Sequence, residues 1–191
     1  MSAYSVVLYF HLLSLIVGIA AASLLVLCLG RLRAADTLEA AAPWGMLSEK
    51  VVLGFPIAIL GLFATGAYMT TDVWSWSTGW IVVGIAALVV LGVQGPVLGG
   101  GTAKKLEHAL RENGPGPLGP HARRMARHPG LWISELANLG IVFGVVWNMT
   151  TKPGVAGAIA AVVVGYAVGV LLGLQMSRLP AGEAEPARAT G

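Results

Sequence analysis

Long uninterrupted apolar runs dominate the pattern of the chain. Five of them occur, at about 4–30, 49–71, 78–100, 130–151 and 153–177. Each is long enough to cross a bilayer, because roughly 20 apolar residues in a helix span the hydrocarbon core. Short turns at 72–77 and 151–154 contain the Trp, Pro and Gly residues that favour helix ends at a membrane surface. The pattern predicts an all-α polytopic membrane helix bundle with five transmembrane helices.

The composition also indicates that much of the chain is surrounded by lipid. Hydrophobic residues make up 56% of the 191-residue chain and charged residues 11%, against about 25% charged residues in a typical soluble domain. A soluble domain of this length could not bury so much apolar surface, so the bilayer must solvate it. The single cysteine, Cys28, excludes an internal disulfide and any Cys-x-x-Cys motif.

The basic residues predict how the bundle is oriented. In a five-helix arrangement, Lys152 is the only one on its side of the membrane. The others fall on the opposite side: Arg31, Arg33, Lys50, Lys104, Lys105, Arg111, Arg123, Arg124, Arg127, Arg178 and Arg188. The positive-inside rule then puts the N-terminus outside and the C-terminus in the cytoplasm. We expect a multi-pass protein of the bacterial inner (plasma) membrane.

The third and fourth runs are joined by the longest polar segment. It predicts a short helix over 102–113, a break at the Pro- and Gly-rich stretch 114–120, and a basic run over 123–127. That run is interpreted as a topology signal, with contact to anionic lipid as the alternative. Residues 1–178 form one transmembrane domain in this interpretation, and 179–191 a disordered cytoplasmic tail.

Small residues predict how the helices pack. The fifth run has a small residue every four positions, including Gly157, Gly165, Gly169 and Gly173. Such a stripe lets two helix backbones approach closely. It must face another helix, either within the bundle or in a second copy or a partner subunit of a membrane complex, and the sequence leaves both open. In the first run, His11 lies on a face with Ser14 and Gly18, so we expect it to point into the protein.

His11 is the main candidate for chemistry, because it is the only histidine within an apolar run. An ionisable residue at membrane depth is a functional-site hypothesis by default. Met69 and Met149 lie near the same depth, and imidazole with thioether suits haem iron or copper. The alternatives are a hydrogen-bonded interior histidine and two methionines that only fill space.

Apart from Glu49 at the first position of the second run, Glu135 is the only acidic residue inside a predicted span. Near the start of its helix it suits the positive end of the helix dipole, and we expect it to pair with Lys50 or Arg127. A polar relay through Glu135 and Asn138 is the alternative. No nucleophile-elbow, Walker, Rossmann or His-Glu-x-x-His motif occurs, so no residue is assigned a catalytic role.

Three short motifs carry a resemblance to a known family: YFHLL at 9–13, TGAYM at 65–69 and MTTKPG at 149–154. Over about residues 4–155 the chain resembles a family of predicted bacterial integral membrane proteins of unknown function. That family is itself similar to the copper-resistance-D-like membrane domain and to the four-helix membrane protoporphyrinogen oxidase.

The resemblance implies that the histidine of the first helix, here His11, is associated with haem or copper. The oxidase relatives also depend on a lysine within a membrane helix. Here Lys50 and Lys152 lie at helix ends, which argues against oxidase activity. Because a second intramembrane histidine is missing, a haem would need His11 alone, His11 with a methionine, or two copies of His11 across a dimer.

Two functions therefore follow as expectations. The first is binding of b-type haem or copper through His11 in a redox or metal-handling role. The alternative is a non-enzymatic permease or a structural partner subunit of a membrane complex. Catalysis is disfavoured because an active site needs more convergent titratable groups than His11 and Glu135 supply. The expected surroundings are lipid and other membrane subunits, with no nucleic-acid partner.

Overall fold

The computed structural model describes residues 2–178, and nearly all of them are helical. The helices are α1 Ala3–Ala34, α2 Leu38–Val52, α3 Gly54–Val73, α4 Gly79–Gln94, α5 Gly101–Glu112, α6 Pro120–Ala126, α7 Pro129–Thr151 and α8 Val155–Arg178. A π-helical segment, Gly95–Gly100, joins α4 to α5 without a break. The tail predicted for 179–191 lies outside the described residues.

The five-helix prediction is confirmed for helix class and number within residues 2–178. Five helical stretches there are long and apolar enough to cross a membrane: Ala3–Ala34, Leu38–Val73, Gly79–Glu112, Pro120–Thr151 and Val155–Arg178. The same range contains no strand, only a single bridge pair between Thr37 and Pro117. The chain therefore has the architecture of a multi-pass helical membrane protein.

One helix, α2, is not marked by an apolar run. It begins after Thr37, whose side-chain oxygen accepts a hydrogen bond from the Ala40 amide at 3.3 Å and so caps the helix. Charged residues divide its sequence, so it contains no long apolar run, yet Ala41 on its inner face is fully buried. An amphipathic helix of this kind is stabilised by packing one face, which a search for long apolar runs does not detect.

One end of the bundle, here named the loop end, is made by the C-terminal part of α1 with α2, α5, α6 and the start of α7. It holds a cluster of buried apolar residues: Leu29, Leu32, Ala41, Leu106, Ala109, Leu110, Leu118, Ala122, Ala126, Leu131 and Trp132. The opposite end, here named the turn end, carries the turns at 74–78 and 152–154. The loop end is therefore a packed structure and not a set of free connections.

The Pro- and Gly-rich break at 114–120 is part of that packed structure. The Leu38 amide donates to the Gly116 carbonyl at 2.9 Å, and the Leu118 amide donates to the Asp36 carbonyl at 2.8 Å. Gly114 and Gly116 have φ of 67° and 99°, a backbone conformation that favours glycine. The predicted break is present, and these hydrogen bonds hold it against the start of α2.

The glycine stripe of α8 packs mainly against α7. A side chain at Gly165 would collide with the Gly140 backbone, one at Gly169 with the Leu136 backbone, and one at Gly173 would lie 2.6 Å from the Ile133 Cα. Gly157 instead faces the ring of Pro153 in the preceding turn. Three of the four stripe glycines are thus used inside the chain, so a second copy or another subunit would have to dock on a different surface.

Candidate functional site

His11 lies in the contact between α1 and α3, here named the α1–α3 seam. Small residues bring these two antiparallel helices together: a Cβ at Gly18 would lie 3.3 Å from the Ala58 Cβ, and one at Gly54 would lie 3.3 Å from the Ala21 Cβ. Nearer the turn end the imidazole takes the place of a small residue. His11 is 5% exposed, so its side chain points into the protein, as its position on the small-residue face predicts.

The imidazole of His11 is held by one hydroxyl on the neighbouring helix. Its Nδ1 lies 2.8 Å from Thr65 Oγ1. Thr65 Oγ1 also lies 2.5 Å from the Gly61 carbonyl oxygen, which can only accept, so the hydroxyl proton points to Gly61. Thr65 therefore accepts from Nδ1–H of His11. This assigns the proton to Nδ1 and leaves the lone pair on Nε2.

The Nε2 atom of His11 is the chemically available end of the ring. Among the described residues it has no hydrogen-bond partner, and it is not one of the fully enclosed polar atoms. A neutral imidazole with Nδ1–H held by an oxygen and Nε2 free is the arrangement that histidine adopts as a metal ligand. The site can therefore offer one nitrogen donor at the edge of the bundle.

Gly66 of α3 lies beside the imidazole of His11. A Cβ at Gly66 would lie 3.5 Å from the imidazole Cε1, so the absence of a side chain there leaves the ring room. The sequence neighbours of His11 in α1 are large and apolar: Tyr9, Phe10, Leu12 and Leu13 are 62, 52, 48 and 42% exposed. They lie about 100–200° around the helix from His11, so they form the lateral and outer faces of α1, of the kind that contacts lipid.

The two candidate methionines, Met69 and Met149, differ in their position relative to His11. Met69 lies one helical turn beyond Thr65 in α3, so it shares the face that holds the imidazole. Met149 lies in the last turn of α7, next to Asn148, whose Nδ2 donates to the Ala158 carbonyl of α8 at 3.0 Å. Both methionines are half-buried, and within residues 2–178 neither is hydrogen-bonded to His11. The structure places Met69 on the histidine's seam and associates the end of α7 with α8.

A second polar group lies nearer the loop end, where α7 packs against α4 and the π-helical segment. Asn138 Oδ1 accepts a hydrogen bond from Gln94 Nε2 at 3.1 Å. One turn away, Ser134 and Glu135 face the backbone of Gly99. No ion pair involving Glu135 exists among the described residues, so the expected pairing with Lys50 or Arg127 is wrong. Both of these basic side chains are exposed at the loop end, whereas Glu135 is directed between helices.

Three participants escaped the sequence interpretation. Thr65 and Gln94 lie 54 and 44 residues along the chain from the side chains they contact. A local sequence pattern cannot predict a contact between residues so far apart in the chain. Ser134 is 1% exposed; in the sequence it is one of several polar residues of its helix that need partners, but it is not assigned to a site. These residues could have been identified as candidate contact partners because they are polar and lie in membrane helices, where polar groups need partners.

A site built from several metal-binding side chains is not found. In the described range, no group of three or more His, Cys, Asp or Glu residues could hold a metal ion. Comparisons with family models, with curated proteins and with solved structures give no match to this chain. The geometry of the residues themselves is therefore the basis for assigning a function.

Proposed function

We propose that this protein binds b-type haem at the α1–α3 seam, where Nε2 of His11 would supply a ligand to the iron. The observation that carries the proposal is the hydrogen bond between His11 Nδ1 and Thr65 Oγ1, because it presents Nε2 with its lone pair free. A metal-bound histidine usually donates a hydrogen bond from its other ring nitrogen to an oxygen atom, and this bond fixes the orientation of the ring. When bound, the haem would supply one-electron chemistry.

Haem is favoured over copper by the number of donors available. The porphyrin supplies most of the ligands of a haem iron, so the protein needs to provide only one or two, whereas a copper ion takes its ligands from the protein. Residues 2–178 offer no group of three or more His, Cys, Asp or Glu residues that could hold a metal ion. A second ligand from the protein would come from Met69 or from His11 of a second copy, since Met149 lies at the end of α7 beside α8.

The family resemblance fits this proposal. It associates the histidine of the first helix with haem or copper, and that position is His11. It also extends to the motif at 65–69, which begins with Thr65, the residue that holds the imidazole. The oxidase activity of the more distant relatives is not proposed, since Lys50 and Lys152 stand at helix ends.

The test is to purify the full chain in mild detergent with haem supplied, and to record the visible spectrum and the iron and copper content. We expect a Soret band in the wild type and its loss in His11→Ala. The matched control is His108→Ala, because His108 is exposed on α5 and pairs with Glu112 at 3.3 Å. A wild-type protein that takes up neither haem nor copper when offered both would contradict the proposal.

A second variant separates ligation from folding. Thr65→Val keeps Nε2 of His11 but removes the acceptor for Nδ1–H, so the imidazole becomes a weaker donor and its orientation is less fixed. We expect haem to remain bound with about 10-fold or more weaker affinity, and with a shifted reduction potential. Uptake of copper with no Soret band would assign the site to copper instead.

For the orientation, we propose that the N-terminus lies outside and the loop end faces the cytoplasm in the bacterial inner membrane. The support is the basic residues of α2, α5 and α6, which gather at the loop end, while Lys152 stands at the turn end. Cysteine labelling in intact cells tests it, in a Cys28→Ala background. Ser75→Cys should react from outside and Glu112→Cys should not, since both positions are exposed on opposite ends. The reverse labelling pattern would contradict this orientation.

The alternative function is a non-enzymatic permease or a partner subunit of a membrane complex. One observation favours the permease: the π-helical segment Gly95–Gly100 interrupts the third span beside Ser134 and Glu135. Departures from α-helical geometry within membrane helices are typical of solute and ion sites. Failure of haem and copper binding, with intact folding, would leave this alternative as the better proposal.

A further inference from the structure

Two side-chain oxygens of α7 pack against the π-helical segment at Gly99. A Cβ at Gly99 would lie 2.8 Å from Ser134 Oγ and 3.6 Å from Glu135 Oε1. A side chain at position 99 would therefore displace the Ser134 hydroxyl, and only glycine lets these oxygens approach the segment.

Among the described residues, Ser134 Oγ and the second carboxylate oxygen of Glu135, Oε2, lack the hydrogen-bond partners that their burial calls for. Ser134 Oγ and Glu135 Oε2 are both enclosed, and neither has a partner in the part of the chain that the structure describes. Ser134 is 1% exposed, so water does not reach it freely. One turn away, Gln94 uses its amide nitrogen to donate to Asn138, which leaves its carbonyl oxygen available. Buried polar atoms are almost always paired, so these two neighbouring side chains of α7 can still accept a ligand that donates a hydrogen bond or carries positive charge.

No side chain nearby supplies that positive charge. Along the elements packed on α7, α4 and the π segment have no charged residue, and α8 has only Arg178. Arg33 of α1 donates to the Met176 carbonyl and lies over the Trp132 ring. The charged residues of α5, from Lys104 to Glu112, form ion pairs with one another or are exposed. An isolated carboxylate in an apolar interior is costly unless it is neutralised.

We propose that Glu135, Ser134 and the π segment form a binding site for a small monovalent cation, either a proton or Na⁺. The carboxylate of Glu135 supplies the counter-charge, and the Ser134 hydroxyl and nearby carbonyl oxygens are neutral ligands. Oxygen ligands at an interruption of a membrane helix are the usual setting for coupled Na⁺ or H⁺. This site is separate from His11 and does not depend on haem binding.

The experiment measures the thermal midpoint of the purified full chain in detergent. The melt is repeated in sodium and in choline chloride at equal ionic strength, on both sides of neutral pH. A ligand that binds only the folded state raises its midpoint. In alkaline buffer, where protons do not compete, we expect Na⁺ to raise the wild-type midpoint by about 3 °C or more. In Na⁺-free buffer, we expect acid to stabilise the wild type, because protonation neutralises the buried charge.

Glu135→Gln removes the charge and keeps the shape, so it should fold and lose both responses. Glu112→Gln is the control, since Glu112 is an exposed acid that should leave both responses unchanged. Gly99→Ala places a methyl group 2.8 Å from Ser134 Oγ, so it displaces that oxygen without changing any charge and should weaken the Na⁺ response. Its control is Gly84→Ala, because a Cβ at Gly84 meets nothing within 4 Å.

The outcomes identify the ion or reject the site. A sodium response that Glu135→Gln abolishes assigns the cation as Na⁺, and an acid response alone that Glu135→Gln abolishes assigns it as a proton. If Glu135→Gln responds to sodium and to pH as the wild type does, no cation is bound at Glu135 and the proposal is wrong.

Discussion

Two helix contacts in this bundle use small residues for different purposes. The α7–α8 contact, here named the α7–α8 seam, brings backbone against backbone: a Cβ at Gly144 would lie 2.7 Å from both the Ala161 carbonyl oxygen and the Val162 Cα. The α1–α3 seam brings side chain against side chain, with Ala21, Ala58 and Ser14 between the helices. The first contact has no room for side chains, whereas the second includes a histidine and its hydroxyl partner.

The difference shows how a membrane bundle separates stability from chemistry. Close backbone contact maximises van der Waals packing, which drives helix association in lipid, but it leaves no room for a functional group. A seam of Ala, Ser and Gly keeps helices near each other and still accepts one larger polar side chain. The turn at Lys152, with φ of 49°, fixes α8 beside α7, while α1 and α3 are joined through the intervening helix α2.

The largest expected effect comes from a large side chain in the α7–α8 seam. Gly165→Leu would meet the Gly140 backbone, which cannot move aside as a side chain can. We expect a loss of about 3 kcal/mol or more in the free energy of unfolding, measured by reversible detergent-induced denaturation. Gly84→Leu is the matched control, since its Cβ meets open space. Equal losses in the two variants would show that the stripe is not the packing contact.

A smaller effect is expected in the α1–α3 seam. Gly61→Ala places a methyl group against Ser14, with its Cβ 3.0 Å from the Ser14 Cβ. The expected loss is about 1–2 kcal/mol, because the Ser14 side chain can rotate if it gives up its bond to the Phe10 carbonyl at 2.8 Å. The double variant with Ser14→Gly should recover most of the stability. No recovery would mean that the strain lies elsewhere.

The smallest effect is expected from the polar contact itself. Thr65→Val removes the acceptor for His11 Nδ1–H, and interhelical hydrogen bonds in membranes contribute about 0.6 kcal/mol on average. Thr71→Val is the control, because Thr71 is exposed and its hydroxyl bonds only to Ala67 of its own helix. A loss as large as that of Gly165→Leu would show that His11 is mainly a structural residue and would weaken the haem proposal.

The local pattern of apolar and small residues predicted much of the fold. The five apolar runs marked the five spans to within a few residues at most ends, because bilayer thickness sets the length of a membrane helix. The small-residue face of α1 predicted that His11 is buried, and the break at 114–120 occurs where Pro and Gly cluster. These features depend on residues near one another in the chain, so the sequence contains them directly.

Tertiary structure decided which faces meet. The glycine stripe of α8 suited either another helix of the chain or a separate subunit, and only the folded bundle shows α7 in contact with it. Glu135 was expected to find a basic partner at the loop end, but packing directs it to Gly99. Thr65 became the partner of His11 because two helices joined through α2 place them at the same depth.

The sequence by itself therefore determined the class of protein and the number of its spans, and it singled out His11 and Glu135. Hydropathy and residue size are local properties, and the bilayer converts them into helices and small-residue faces. Only the tertiary structure decided the partner of each polar group: Thr65 for His11 and, within residues 2–178, none for Ser134. The reason is that a pairing between helices depends on rotation and depth together, and residues far apart in the chain fix both.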